Sequence, residues 1–435
     1  MRSNCKHLLV SPFSCEDSEG IILWAVIARS KLQGSTADQQ QVALQEDERK
    51  NKRRPQRRNN FSAESAFRIP TGFGIATNLS VCVRTTTRSP GEMDLFVRRS
   101  SVVTKKAAVC SDQPQATQIG LEILKLGGNA ADAAIATMAA VSVMEPLACG
   151  IGGDCHCTFY SHRDRTVLSI NGSGRTGKLS TLDKIRAAGI TDPMSRDCFN
   201  HGLWVSVPGT VAGMAKVVEK FGSGKLSLKQ ILEPAVRLAE EGVPVPYKHA
   251  LMWDTYQDNF RHSKNAHDLL IDGRVPAPGD ILYAPKLAKV FRDIGDAGIE
   301  SFYSGTRAQN IASAVQENGG ALTVEDLKDH LENPPNPFPG EALSVDFRGF
   351  RIWEMKPNTM GIVALVAFNT LKAYDLKVLG HNSPEYIHLV SEATKHAYLE
   401  SWEFLCDPKC CSRSVQELLT DEFAQNIRNK MDPER

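Results

Sequence analysis

Apolar and polar positions change period several times along the chain, and each change marks an element. Ile119, Ile123 and Leu126 recur at helical spacing within Ala116–Leu126, with Leu121 and Leu124 beside them, which predicts a helix closed by Gly127-Gly128. Asn129 is placed to cap a second helix, with Asp132 in its first turn. That helix, Ala130–Met144, is Ala-rich and apolar nearly all round, as a buried helix is, and Glu145-Pro146 ends it. Val102–Cys110 predicts a strand before them, and Cys155–Tyr160 and Thr166–Ile170 predict two more around the charged tip Arg163-Asp164-Arg165.

Further on the pattern is mostly helical. Pro208-Gly209 reads as a turn with Thr210 as a helix cap. Ser227 and Gln230 form a capping box before Leu228, Ile231, Leu232, Ala235, Val236 and Ala239, and Gly242 and Pro244 stop that helix. Pro285 opens a helix with Leu287, Val290, Phe291 and Ile294 on one face. Ala308, Ile311, Ala312 and Val315 mark another, closed by Asn318-Gly319-Gly320, and Thr323 with Asp326 opens the next. Leu343, Val345 and Phe347 alternate and are answered by Phe350 and Ile352 across Arg348-Gly349, a hairpin signal. An apolar helix over Ile362–Ala373, one begun by Ser383-Pro384, and one ending near Lys430 complete the pattern.

Composition adds limits to this picture. With 435 residues, 42% hydrophobic content and a net charge of +1, the chain reads as a globular protein whose overall balance calls for no nucleic acid partner. Eleven cysteines, an odd number spread over a long chain, are not a disulfide framework. Cys155-His156-Cys157 and Cys406…Cys410-Cys411 lack the paired spacing of a zinc site, and strand alternation puts Cys155 and Cys157 on one face as packing residues, so no metal is expected. No apolar run approaches the roughly 20 residues of a membrane span. Gly20–Ala28 is too short and follows Glu16, Asp17 and Glu19, which makes a poor signal peptide and favours a cytoplasmic location. Residues 1–92 are polar and irregular, the expectation being a disordered extension ahead of a domain over 93–435. Their basic run, Arg49 to Arg58, reads as a solvated tail, with a polyanion-binding patch as the competing reading.

The stretch Leu147–Arg175 concentrates the candidate chemistry. Gly150, Gly152 and Gly153 allow the backbone to pass close to other chain, and Asp154 follows. Arg175 stands at a strand end among small residues, where it is either a fork of donors for a carboxylate or a solvated turn residue.

Gly-Ile-Gly-Gly-Asp154 followed by Asn-Gly-Ser-Gly-Arg175 resembles the γ-glutamyltransferase (glutathione hydrolase) family, in its bacterial-type branch. Gln113-Pro-Gln-Ala-Thr…Ala134, Ser206-Val-Pro-Gly-Thr-Val-Ala-Gly213, Gly319–Leu327, Lys356–Gly361 and Ser383–Tyr398 are similar to the family in the same order, over about residues 95–435. Thr176-Gly177 departs from the branch's common Ala-Pro, and Leu399-Glu-Ser401 from its usual Ala-Asp-Arg. The resemblance implies an α+β fold, the large-subunit part of the αββα sandwich of N-terminal-nucleophile hydrolases. It implies a precursor that cuts itself, with the new terminal Thr of the small subunit as nucleophile and no cofactor. Arg175 matches the family residue that grips the α-carboxylate of the γ-glutamyl group, while Gly152, Gly153 and Asp154 are structural. The small subunit supplies the nucleophile, expected beyond Arg435, and the groups that hold the substrate amine and the oxyanion. The expected partners are glutathione or another γ-glutamyl compound and the small subunit. A non-catalytic remnant acting as a binding protein is the alternative.

Overall fold

The computed structural model describes residues 102–190, 201–261, 266–338, 340–407, 411 and 413–432, together with the backbone of Leu23–Val26. The rest of the N-terminal extension with its basic run, the remainder of Gly20–Ala28, and Cys410 lie outside the described residues. The principal elements are β1 (Leu23–Val26), α1 (Pro114–Lys125), α2 (Ala130–Met144), β2 (Cys155–Ser161), β3 (Thr166–Gly172), α3 (Thr210–Phe221), α4 (Leu228–Glu241), α5 (Pro285–Ala297), α6 (Gly305–Glu317), α7 (Val324–Glu332), β4 (Leu343–Phe347), β5 (Phe350–Glu354), α8 (Gly361–Leu371), α9 (Pro384–Ser401) and α10 (Asp421–Lys430).

β1, β2 and β3 form an antiparallel sheet in that order, with Cys155 opposite Gly172 and Ser161 opposite Thr166. The chain after α7 runs antiparallel along β3, with Phe338 N–H donating to Ser169 O and Ala342 N–H to Val167 O, both at 2.9 Å. Cys155, Cys157 and Phe159 alternate onto one face and are buried. α2 and α3 contribute to the same core, where Phe221 stacks on Phe159 with ring centres 4.6 Å apart. α2 is buried almost all round, packed on α1, α3 and α4, and α4 packs on α5. β4 and β5 form the hairpin and lie with α8, α9 and α10 around a second, smaller core. Among the described residues no helix is long and apolar enough to cross a membrane.

Two expectations fail. Val102–Cys110 has no strand structure: most of its side chains are exposed, and among the described residues no strand pairs with it. Thr210 is the first residue of α3, not its cap; Gly209 is the N-cap, and the Thr210 hydroxyl donates instead to Gly150 O at 3.3 Å.

Candidate anion-binding site at Arg175

Three loops meet where β3 ends. Gly174 N–H donates to Asp154 Oδ1 at 2.7 Å. Val207 N–H donates to Arg175 O at 2.9 Å, and Gly209 and Thr210 N–H both donate to Gly153 O. The approach is so close that glycine is required: a Cβ on Gly174 would lie 1.7 Å from Val207 O, and one on Gly209 would lie 2.1 Å from Gly172 O. Gly153 and Asp154 thus brace the loop that carries Arg175. Tyr303, fully buried, holds the facing turn by donating its hydroxyl to Pro208 O at 2.7 Å while accepting from Ala212 N–H.

On the other side the loop is tied to α7. Asp326 closes the capping box with Thr323 and accepts from Lys178 N–H at 2.9 Å. Burial pushes the Asp326 carboxyl up, but these bonds from Lys178 and Thr323 outweigh it and hold the group below the usual carboxylate range. The Arg175 guanidinium reaches the far end of the same helix. Its Nη1 lies 3.4 Å from Asp329 O and 3.5 Å from Asp329 Oδ2, and its Nη2 donates to Asn333 O. A cation at a helix C-terminus is where the exposed carbonyls favour it. Asp329 Oδ1 faces Asn333 Nδ2 at 3.3 Å and Lys178 Nζ at 3.7 Å. Arg175 and Asp329 are both partly exposed, at 41% and 34% of their side-chain surface, so the pair is open to ligand.

Two histidines border the site. His330, beside Asp329 in α7, is buried, with its ring 5.2 Å from that of Tyr303 and neither nitrogen hydrogen-bonded among the described residues. Burial, helped by the nearby Arg175 charge, lowers its pKa to about 4. His156 shares a 2.9 Å hydrogen bond with the Ser173 hydroxyl, and burial lowers its pKa against the opposing pull of Asp154. Asn171 donates to Asn358 Oδ1 at 2.5 Å and accepts from Ser173 N–H, so the loop from Lys356 to Gly361 abuts the base of the Arg175 loop. Burial raises the Cys155 and Cys157 thiols, the latter to about 12, so both pack as neutral groups.

The arrangement offers one forked cation in a fixed loop, suited to a carboxylate. Arg175, Gly153 and Asp154 come together as the sequence motif places them. Lys178, Tyr303, Asp329 and His330 were not marked by any motif; only Asp326 carried a signal, as the partner of Thr323 in a capping box.

Residues 116–435 match the family model described as Gamma-glutamyltranspeptidase. The chain is similar to a glutathione hydrolase-like proenzyme of Bacillus subtilis, at 32% identity over 342 residues, covering 76% of this chain and 61% of that protein. It is also similar to an oxamate amidohydrolase proenzyme of Klebsiella pneumoniae, at 29% identity, covering 77% of this chain and 61% of that one. The solved Helicobacter pylori gamma-glutamyltranspeptidase superposes with a TM-score of 0.71 at 26% identity, covering 77% of this chain and 95% of that chain. The chain therefore spans about 60% of the length of these curated relatives.

Proposed function

The chain belongs to the gamma-glutamyltranspeptidase family, and from that membership we propose that it is the large-subunit part of an enzyme cleaving γ-glutamyl amides such as glutathione. Its fold is the large-subunit part of the N-terminal-nucleophile sandwich. The acyl group passes to water or to an amino acid. In this reading Arg175 grips the α-carboxylate and sets the γ-carbonyl in front of the small subunit's terminal Thr. The Thr hydroxyl attacks the γ-carbonyl, its own amine takes the proton and passes it to the leaving amine as the amide C–N bond breaks, and the resulting ester is resolved by water or an acceptor amine.

The observation that carries the reading is the Arg175 loop itself. Its backbone is held by Asp154, Val207 and Lys178–Asp326 bonds, while the guanidinium remains partly exposed. A rigid base with a reachable head is what carboxylate positioning requires. Relatives of this chain are named as enzymes, which favours this reading over a non-catalytic remnant. The Klebsiella relative's name refers to oxamate, so the acyl group taken here is a separate question from the reaction type.

Arg175→Ala supplies the test, in the enzyme assembled with a small subunit. Self-cleavage is expected to proceed, and KM for glutathione to rise about 10- to 100-fold, the worth of a charge-assisted pair, with a smaller change in kcat. An unchanged KM would mean that another residue holds the carboxylate.

A further inference from the structure

Strand alternation turns Cys155 and Cys157 into the core and leaves His156 on the opposite face of β2. There its Nε2 lies 2.9 Å from the hydroxyl of Ser173, the first residue after β3. Both side chains are only part-buried. Ser173 stands between Gly172 and Gly174, so neither neighbour in the chain has a side chain to cover the hydroxyl. Its backbone is fixed on both sides: Ser173 N–H donates to Asn171 Oδ1 at 3.0 Å, and Gly174 N–H to Asp154 Oδ1 at 2.7 Å. Asn171 is directly opposite His156 across the β2–β3 pair. Burial holds the His156 pKa below the ordinary histidine value, so the ring is neutral at pH 7 and its Nε2 can accept a proton. Asp154 and Asn171 act against burial and favour the ring once it is charged. A hydroxyl within hydrogen-bond reach of an imidazole, with further groups set to support the imidazolium, is what makes a serine nucleophilic.

We propose that Ser173 and His156 form a second nucleophile–base pair, separate from the terminal Thr of the small subunit, which takes acyl groups from esters of small carboxylic acids. Ser173 Oγ attacks the ester carbonyl as His156 Nε2 takes its proton. The C–O bond to the leaving alcohol breaks, the alcohol departs with that proton, and the acyl group stays on Oγ. Water, giving its proton to the same nitrogen, then attacks the acyl-serine; the acid is released and the proton returns to Oγ. Asn358 accepts from Asn171 through its Oδ1, which leaves its own Nδ2, on an exposed side chain, uncommitted among the described residues and available to the developing oxyanion. The part-buried hydroxyl suits a small acyl group. Every group in this step belongs to this chain, so it depends neither on the small subunit nor on the role given to Arg175.

The test is acetylation of the full chain by p-nitrophenyl acetate, followed as nitrophenolate release and located by peptide mass spectrometry. Wild type, Ser173→Ala and His156→Gln are compared, with thermal melts to show that each is folded. Glutamine keeps a polar group against Ser173 but cannot take the proton. The wild type is expected to carry acetyl on Ser173, and His156→Gln to acquire it about 100-fold more slowly, the worth of a positioned base. Ser173→Ala is expected to lose the fast phase of nitrophenolate release and to keep only the slow acetylation of surface lysines that it shares with the wild type. A folded wild type with Ser173 unmodified overturns the inference. So does a His156→Gln variant that acetylates at the wild-type rate, because the hydroxyl would then react without its base. If His156→Gln does not fold, the pH dependence of the wild type decides. Acetylation of Ser173 should slow as acid protonates His156, and a rate that stays level until the chain unfolds in acid overturns the inference.

Discussion

His330 shows what a single side chain contributes when the fold gives it no partner. Its ring is buried against Tyr303, both nitrogens lack hydrogen bonds among the described residues, and Arg175 is nearby. A charged imidazolium is therefore disfavoured in the native state, and the pKa falls from about 6.5 to about 4. Between those values the unfolded chain binds the proton and the folded chain does not. Stability from this residue is intact above pH 6.5 and is lost as pH falls toward 4, by about 3 kcal/mol in all. Roughly 2 kcal/mol of that is lost between pH 7.5 and pH 5. His330→Phe keeps a ring against Tyr303 and removes both unpaired nitrogens. Urea unfolding at the two pH values should show a drop for the wild type that exceeds the variant's by that amount. Parallel drops would mean that the histidine titrates normally in the folded protein.

Helix ends were the part of the structure most legible in the sequence, because a cap is a local device. Asn129, Ser227, Thr323 and Ser383 each accept from the backbone of the helix they precede. The first of these does more. Asn129 Oδ1 accepts from Ala131 and Asp132 N–H, its Nδ2 donates to Phe221 O at 2.7 Å, and Asp132 Oδ2 accepts from Ser223 N–H at 3.1 Å. One cap thus fastens the start of α2 to the end of α3. Asn129→Ala should cost about 2 kcal/mol, for the cap and the stranded carbonyl together, and Asn129→Ser about half of it, since a hydroxyl still caps. Melting temperatures of the two variants check this; equal losses would assign the effect to the Phe221 bond alone. What the sequence did not disclose is equally physical. Val102–Cys110 has the composition of a strand, yet a strand exists only with a neighbour to bond, and among the described residues none pairs with it. Thr210 has the chemistry of a cap, but its hydroxyl is drawn to Gly150 O by a loop sixty residues earlier. Arg175 was legible from its Gly-flanked motif. Asp329, 154 residues further on, was not, because no local pattern ties the end of α7 to the end of β3.

At the scale of the whole molecule the described residues divide into two apolar cores that meet mainly through polar and backbone contacts. The larger core gathers side chains from α1 to α7 with β2 and β3, and the smaller gathers them from β4, β5 and α8 to α10. Between them run the Phe338–Ser169 and Ala342–Val167 backbone bonds and the Asn171–Asn358 bond. Burial of apolar area dominates the free energy of each core, whereas a few hydrogen bonds add about 1 kcal/mol each. The smaller core should therefore open first, as a unit, without taking the larger with it. Hydrogen exchange in low urea reads this directly. Amides in α8 and α9 are expected to lose protection together and at lower denaturant than those in α2 and α4. The amides of Phe338 and Ala342 should exchange with the smaller core, because their acceptors on β3 stay in place while the donor segment leaves. Simultaneous loss across both cores would show that these few links couple them into one cooperative body. It would also mean that the Arg175 loop, which touches the smaller core through Asn358, shares the stability of the whole rather than that of its own half.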